Sequence, residues 1–336
     1  MYELLINSNE KLPKVAQITQ ALIRDIEKGL LKKDERLPSV TNFSKQYKIS
    51  RDTVEKAYNR LKDDGYLVAV PGKGNYVAEG NKNTLRILML LNKLSTYKKE
   101  VYDAFVKKLG KKAKVDLHVY HYDPKVLKEF LDANRGKYHY YAIMPHFFYD
   151  ADEQEILDIL KSIPEHGLVI LDKKISVGNG NHISVYQDFK QDIYDALKSA
   201  TELFEKYKSI SIVFPELSNH PIEITEGVRR FCDENKLKSS IVANTQDIKL
   251  EKGHVYITLT EADLADLIKN VRVSPLQMGD DIGIISFNET VFKELLDITV
   301  ITTDFEEMGN TAASLILDKK FQQVRNSFRL IKRLSL

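Results

Sequence analysis

The chain has 336 residues, 43% of them hydrophobic and 29% charged, which is typical of a globular protein large enough for two or three domains. The net charge of +2 excludes a strongly basic or acidic protein, and the single cysteine, Cys232, excludes an internal disulfide. No signal-peptide pattern and no apolar run of ~20 residues is present. We therefore expect a cytoplasmic protein without a membrane segment.

The N-terminal part is predicted to contain three helices. Pro13 suits the first turn of the first helix, which ends near Gly29. Ser39 and Ser50 are placed to cap the second and third helices, because a serine oxygen can accept a free backbone N–H of the first turn. Gly65 supplies the left-handed residue that ends the third helix.

The third predicted helix has one apolar and one polar face. Val54, Ala57 and Leu61 recur at spacings of three and four, which places them in one stripe. The residues left facing outward are Arg51, Asp52, Thr53, Glu55, Lys56 and Asn59. A capped helix with a polar first turn is how a helix-turn-helix protein presents side chains to the major groove.

A hairpin is predicted directly after this helix. Residues 66–70 and 75–77 are strand-like, and the turn between them, Pro71-Gly72-Lys73-Gly74, is rich in turn formers. A hairpin in this position is a wing. Lys73, at its tip, is predicted to meet a phosphate or the minor groove.

With these motifs the sequence resembles the GntR family of bacterial transcription regulators. The residues that carry the resemblance are Gln17-Ile18, Gly29, Leu37-Pro38-Ser39, Ser50-Arg51-Asp52-Thr53-Val54, Ala57-Tyr58, Leu61, Gly65-Tyr66-Leu67 and Gly72 to Val77. The resemblance implies DNA contacts from Ser39, Asn42, Ser50, Arg51, Asp52, Thr53, Lys56, Lys73 and Gly74. Thr41 stands where many members carry an arginine that touches DNA.

The remaining sequence has a different texture. Residues 1–78 are predicted to form the winged helix-turn-helix domain, 79–84 a short polar linker, and 85–336 a second domain. Arg86 to Leu91 begins an alternation of apolar strands and helices that predicts an α/β fold with parallel sheets covered by helices. The break from Asp172 to Ser184 suggests two lobes.

The C-terminal part resembles a second family. The runs Asp280 to Asn288, Ile301-Thr302-Thr303-Asp304 and Glu307-Met308-Gly309 are similar to the last third of LacI/GalR-type regulators. The resemblance implies a two-lobed, periplasmic-binding-protein-like domain that binds an effector and dimerises. GntR-type heads joined to such sensors include arabinose-responsive repressors.

Ligands of parallel sheets bind beyond the carboxyl ends of the strands, so polar residues just after strands are the candidates. Asn288 matches a family position for a sugar ligand, with a turn residue as the alternative. Asp188 is either a ligand residue or a helix cap, and His146 either faces the cleft or packs. Thr260 and Glu261 are further candidates, and Tyr97 is a candidate stacking ring.

One departure from the family bears on the ligand. Ile224 stands where the family commonly has an arginine that grips sugar hydroxyls, so Glu223 or His220 is predicted to supply that contact. Cationic residues are few among these candidates, which favours a neutral sugar. A pentose or a 6-deoxyhexose is the guess that arabinose-type sensors suggest.

Other chemistry finds little support. His118 and His121 lie three apart on a predicted strand and point to opposite faces, which argues against a shared metal. The helix with Lys98-Lys99, Lys107-Lys108 and Lys111-Lys112 is predicted to be a solvated face, with a second DNA contact as the alternative. Cys232 is predicted to be a buried thiol. No cofactor, metal or catalytic site is expected.

The sequence therefore predicts a transcription regulator, a repressor of a carbohydrate-utilisation operon. It would bind double-stranded operator DNA as a homodimer and be released by a small sugar in the interlobe cleft. The alternatives are an activator with the same sensor, or a sugar-acting enzyme with an accessory DNA-binding head.

Overall fold

The computed structural model describes residues 13–78, 84–215 and 220–336. These residues form two compact units. The first unit holds the described residues up to 90 together with 109–120 and 124–142, and the second holds the rest. The predicted lead-in, 1–12, and all but the last residue of the predicted linker lie outside the described residues.

The described helices are α1 (Lys14–Glu27), α2 (Val40–Tyr47), α3 (Arg51–Asp63), α4 (Thr96–Leu109), α5 (Pro124–Ala133), α6 (Glu153–Lys161), α7 (Phe189–Lys198), α8 (Glu223–Glu234), α9 (Glu261–Val273), α10 (Val291–Leu295) and α11 (Phe305–Asp318). The described strands are β1 (Leu67–Val70), β2 (Gly74–Val77), β3 (Leu85–Leu91), β4 (Ala113–Val119), β5 (Tyr140–Ile143), β6 (Leu168–Lys173), β7 (Ile183–Gln187), β8 (Ser209–Val213), β9 (Lys238–Val242), β10 (His254–Thr258), β11 (Ile282–Phe287), β12 (Thr299–Thr303), β13 (Gln323–Arg325) and β14 (Phe328–Ile331).

The N-terminal helices and hairpin have the predicted order and caps. The Ser39 hydroxyl accepts from Asn42 N and the Ser50 hydroxyl accepts from Thr53 N, each at 3.2 Å. Gly65 has a φ of 75°, as the end of α3 requires. Strands β1 and β2 pair antiparallel, so the wing is present.

The apolar stripe of α3 forms the centre of this part. Val54, Ala57, Tyr58 and Leu61 are fully buried, and α1 packs against them. The Tyr58 hydroxyl donates to Pro38 O at 2.9 Å, so its polar end is also satisfied. Burying a large apolar side chain contributes roughly 1.5–3 kcal/mol, which fixes the direction in which the polar face of α3 points.

Strands β3, β4 and β5 follow in the chain. They are neighbours in the order β5–β3–β4. Residues 87–91 of β3 and all of β5 are buried. Continuous burial agrees with the nearly uninterrupted apolar runs that predicted these two strands.

The second unit contains a six-stranded sheet in the order β14–β12–β11–β10–β8–β9. The pairs from β12 to β9 are parallel, and β14 pairs antiparallel with β12. Strands β13, β7 and β6 are parallel neighbours elsewhere in this unit. The chain crosses between the two groups of strands after β7, β12 and β13, which is the connectivity of a two-lobed binding fold.

Some predictions need correction. Strand β9 was not predicted, and the antiparallel β14 departs from the predicted all-parallel pattern. Lys98 is buried, whereas its lysine-rich helix was predicted to be solvated throughout; Lys99, Lys107 and Lys108 are exposed as predicted. Cys232 is buried, and burial raises its pKa to about 12.

No helix among the described residues has the length and apolarity needed to cross a membrane. Within the same residues, no group of three or more His, Cys, Asp or Glu side chains could hold a metal ion. The His118 ring instead packs on Phe130, with ring centroids 4.5 Å apart.

Candidate functional site

The first candidate surface is the exposed start of α3. Arg51, Asp52 and Lys56 are exposed, and Thr53 is half-buried. Lys56 Nζ and Asp52 Oδ2 are 2.8 Å apart across one helical turn. The Ser50 and Thr53 hydroxyls lie 2.6 Å apart and close the first turn. This face offers a guanidinium, an ammonium and small hydroxyls, the groups that contact base edges and phosphates.

The wing lies beside this surface in the chain. Lys73 is exposed in its turn, where Gly72 and Gly74 have φ values of 73° and 112°. Arg36, which is exposed, lies so close to Gly74 that a Cβ built there would be 3.3 Å from Arg36 Nε. Arg36 was not predicted as a DNA contact. Arg36 forms an isolated antiparallel β-bridge with Tyr76 on the wing, and no local sequence pattern predicts this pairing.

Ser39 and Asn42, the predicted phosphate contacts, are both exposed. They lie at the start of α2. A helix N-terminus with unused backbone N–H groups favours a phosphate. The arrangement is therefore compatible with the predicted contacts.

The C-terminal end of α3 makes hydrogen bonds with residues that follow the wing in the chain. Arg60 Nη2 donates to Gly136 O at 2.8 Å, and Arg86 Nη1 donates to Asp64 Oδ1 at 3.2 Å. The Arg60 and Asp64 side chains are only 16% and 17% exposed. Burial lowers the pKa of Arg60. All these residues belong to the first unit, and the C-terminal end of α3 is in ionic contact with the start of β3.

The second candidate site is a cavity of about 630 Å³ that lies wholly within the second unit. Its size falls in the range typical of small-molecule sites. Its walls come from residues at or just after the ends of β3, β5, β6, β7, β8, β10 and β11, and from the first turns of α4 and α11. Carboxyl ends of parallel strands were the predicted place for a ligand.

A buried polar network forms one wall of this cavity around Asp172. The Asp172 carboxylate accepts from His146 Nε2 at 2.7 Å and from the Gln187 amide nitrogen, and lies 4.0 Å from Lys98 Nζ. Burial acts to raise the pKa of Asp172, but His146, Lys98 and Gln187 together hold it well below its usual range. Lys98 also donates to Asn92 Oδ1. Burial lowers its pKa to about 8.

A second polar group surrounds Asn288 and Lys293. Lys293 Nζ donates to Phe287 O at 2.7 Å and to Asn288 O at 2.9 Å. Asn288 has a φ of 63° and donates its backbone N–H to Ile301 O. Lys293 is 2% exposed, and burial lowers its pKa to about 8. The ammonium thus holds the left-handed turn that carries Asn288 at the cavity wall.

The aromatic and hydroxyl candidates line the same cavity. The Tyr97 ring stacks on Phe305, with centroids 5.1 Å apart. Burial raises the pKa of Tyr97 to about 12. Thr260 caps α9 by accepting from Asp263 N, and Glu261 lies beside it on the wall. The cavity therefore combines apolar ring surface with hydroxyl and carboxylate groups.

The predicted ligand residues separate into two sets. Those that line the cavity are Tyr97, His146, His220, Thr260, Glu261 and Asn288. Burial, with Lys93 and His146 nearby, lowers the pKa of His220 to about 4. Asp188 and Glu223 are not among the lining residues: Asp188 caps α7 by accepting from Gln191 N at 3.3 Å, and Glu223 is exposed at the start of α8.

Several polar lining residues were not predicted as ligand residues, among them Asn92, Asp172, Gln187 and Lys293. Asn92, Asp172 and Gln187 lie at or next to the carboxyl end of a buried strand. That position was the available signal. Lys293 gave none, because a lysine normally faces water.

Comparison with known proteins finds a family match in the N-terminal part. Residues 14–77 match the family described as bacterial regulatory proteins, gntR family. Over 165 residues the chain is 29% identical to the HTH-type transcriptional regulator TreR of Bacillus subtilis, covering 48% of this chain and 59% of that protein. The chain spans less than two thirds of the length of the first curated relatives it matches. The GntR resemblance predicted for this part is confirmed.

Solved structures resemble a larger share of the chain. The trehalose repressor from Escherichia coli has a TM-score of 0.59 at 14% identity, covering 74% of this chain and 99% of that one. A LacI family transcriptional regulator from Lactobacillus casei with bound glucose has a TM-score of 0.56 at 13% identity, covering 75% and 100%. At these identities the likeness concerns the fold. It confirms the predicted periplasmic-binding-protein-like architecture.

Proposed function

We propose that this chain, whose residues 14–77 match the gntR family of bacterial regulatory proteins, is a sequence-specific transcription regulator. It binds operator DNA in the cytoplasm as a homodimer, and a small sugar in the cavity of the second unit releases it. The observation that carries the proposal is the exposed polar first turn of α3, capped by Ser50 and followed by a wing.

On the operator, α3 enters the major groove with its N-terminal end foremost. Arg51 reads base edges, because a guanidinium can donate two parallel hydrogen bonds to a guanine. Lys73 and Arg36 at the wing, and Ser39 and Asn42 at the start of α2, hold phosphates. The Asp52–Lys56 pair orients the lysine along the helix surface.

Replacing Arg51 with alanine is expected to weaken operator binding by about 1–3 kcal/mol and to relax discrimination at one base pair. Fluorescence anisotropy with an operator obtained by selection from random DNA, and with single-base variants of it, measures both effects. Lys73→Ala is the matched control: it should weaken binding on every sequence and reduce the salt slope by about 1. Unchanged base discrimination in Arg51→Ala would remove this residue from the readout.

The sensor half of the proposal rests on the cavity. Its polar groups lie at strand ends next to the Tyr97–Phe305 stack, and rings of this kind suit the apolar face of a sugar. A neighbour of the same fold is described with bound glucose. A pentose or a 6-deoxyhexose is the starting class for a search. Release of the full chain from operator DNA by one such sugar is the experiment that tests it.

The signal must reach α3 from the cavity. Asn92, on the cavity wall, follows directly on β3, and Arg86 near the start of the same strand contacts Asp64 at the end of α3. We expect a ligand that shifts β3 to reorient the recognition helix through this contact. The shift in operator affinity can only equal the difference in ligand affinity between the two states.

Dimerisation is supported by an apolar surface on α10. Val291, Phe292 and Leu295 are 78%, 73% and 76% exposed. Adjacent exposed apolar side chains of this size mark an interaction surface. A second copy of the chain covers this surface in our proposal, because operator half-sites mirror a two-fold axis.

Phe292→Glu is therefore expected to shift the full chain from dimer to monomer, since a carboxylate would be buried without a partner. Sedimentation velocity over a micromolar concentration range measures the change. Leu30→Glu, which alters a 63% exposed residue after α1, is the control and should leave the dimer intact. A dimer that survives Phe292→Glu would place the interface elsewhere.

A further inference from the structure

Gln187, the last residue of β7, has an incomplete set of hydrogen bonds. It is 5% exposed and lines the cavity. Its amide nitrogen donates to Asp172 Oδ1, whereas its Oε1 is buried and accepts no hydrogen bond from any of the described residues. Native proteins rarely leave a buried acceptor unpaired. Because Gln187 lies at the cavity wall, a molecule bound in the cavity can supply the missing hydrogen-bond donor.

The orientation of this amide is set by its neighbour. Asp172 also accepts from His146 Nε2 and lies 4.0 Å from the Lys98 ammonium. A carboxylate held in its ionised form can only accept hydrogen bonds, so the Gln187 nitrogen must face it. The oxygen is thereby turned away from Asp172. The group that completes the network has to be a donor, such as a hydroxyl.

The charges of the cavity limit what kind of molecule can supply that donor. Lys98 faces Asp172. Lys293 donates to two backbone carbonyls, and the carboxylates of Glu261 and Glu289 are close enough to act on its pKa by charge attraction. The two buried ammonium groups therefore already have partners in the protein. No arginine is among the described lining residues, although bidentate arginine is the side chain best suited to a phosphate or carboxylate.

We propose that the effector is an uncharged polyhydroxylated molecule and that Gln187 recognises one of its hydroxyl groups by accepting a hydrogen bond. This inference rests on the proposed function and specifies the ligand class of the same site. An exposed lysine, Lys93, lies at the cavity wall beside the start of α4. A sugar phosphate bound there is the competing outcome.

The first test compares matched probes on the full wild-type chain. Glucose, trehalose, arabinose and the 6-deoxyhexose fucose are each measured against their phosphate esters by thermal shift and titration calorimetry. The proposal expects at least one neutral member to bind about tenfold more tightly than its ester. An ester that binds more tightly overturns the proposal while the sugar sensor stands. No binding by any member overturns the sensor and, with it, this role of Gln187.

The second test locates the hydrogen bond with the neutral sugar of highest affinity and its monodeoxy analogues. One deoxy position is expected to weaken binding to wild type about tenfold and to have little effect on Gln187→Met. This cycle isolates the contact from any general damage to the site. Equal losses in wild type and Gln187→Met at every position would show that Gln187 does not touch the sugar. If Gln187→Met does not fold, Gln187→Asn serves in the same cycle, because it draws the acceptor back from the cavity.

Discussion

Asp172→Asn is expected to lower the free energy of unfolding of the second unit by about 3–5 kcal/mol, the effect of removing one partner of a buried charge pair. The Asp172 and Lys98 side chains are 13% and 10% exposed, so water cannot replace the lost carboxylate easily. An asparagine amide would also set a donor against His146 Nε2 or Gln187. Scanning calorimetry of the full chain measures the change.

The double variant Asp172→Asn/Lys98→Met is the control, because it removes both charges together. It should recover much of the loss, since an apolar side chain in place of a buried charge is often tolerated. Equal destabilisation in the single and double variants would mean that the pair is not coupled. Asparagine tolerates the left-handed φ of 75° at this position, so backbone strain does not confuse the comparison.

The stability difference between wild type and Asp172→Asn is expected to depend on pH. The folded-state pKa of Asp172 is lowered, so its stabilising contribution is present above the unfolded-state pKa and is lost as pH falls through the folded value. The difference in stability between wild type and Asp172→Asn should therefore be constant near neutral pH and shrink below about pH 4. Urea titrations at several pH values measure this difference.

The N-terminal fold was predictable because its signals are local. The caps Ser39 and Ser50 and the spacing of Val54, Ala57 and Leu61 each describe one helix without reference to any other part. The buried runs of β3, β5 and β11 were equally legible, since a parallel strand covered on both faces is apolar throughout. By contrast, four of the five residues of β9 are exposed, and backbone pairing with β8 holds the strand in place. Its side chains therefore have no pattern from which the strand could be predicted.

The candidate site was predictable to within its strand ends, but not residue by residue. Asp188 was predicted to be a ligand residue and its neighbour Gln187 was not. Adjacent residues at a strand end point in opposite directions, so only one of the two can face the cavity. The structure places Asp188 on the helix cap and Gln187 at the cavity.

The sequence analysis predicts Lys98 to be solvated with the other lysines of its helix, whereas Lys98 is buried. Its spacing to Val101 and Phe105 puts it on the buried face, and that spacing could have been noticed. What no pattern could supply is the partner, Asp172, which is 74 residues distant in the chain and is brought to Lys98 only by the fold.

The packing of α4 on α11 gives the second large effect, and Gly309 is its most sensitive point. A Cβ at this residue would lie 2.4 Å from Val101 O and 3.0 Å from both Ala104 Cβ and Phe105 N. Backbone atoms cannot yield as a flexible side chain can, so the two helices would have to separate. Gly309→Val is therefore expected to destabilise the second unit by about 3 kcal/mol, the upper end of overpacking effects.

Glu307→Val is the matched control for Gly309→Val, because it places the same β-branched residue at an exposed position of the same helix. It should lower stability by only about 0.5–1 kcal/mol through helix propensity and the lost carboxylate near the helix start. Chemical denaturation of the full chain compares the two variants, and equal midpoints would contradict the close approach of α4 and α11. Gly309→Val should also weaken binding of a neutral sugar to the chain that remains folded, because α4 carries Tyr97 and Lys98 and α11 carries Phe305 on the cavity wall. A separation of the two helices displaces the ring stack and the polar network together, so stability and ligand affinity are expected to fall in the same variant.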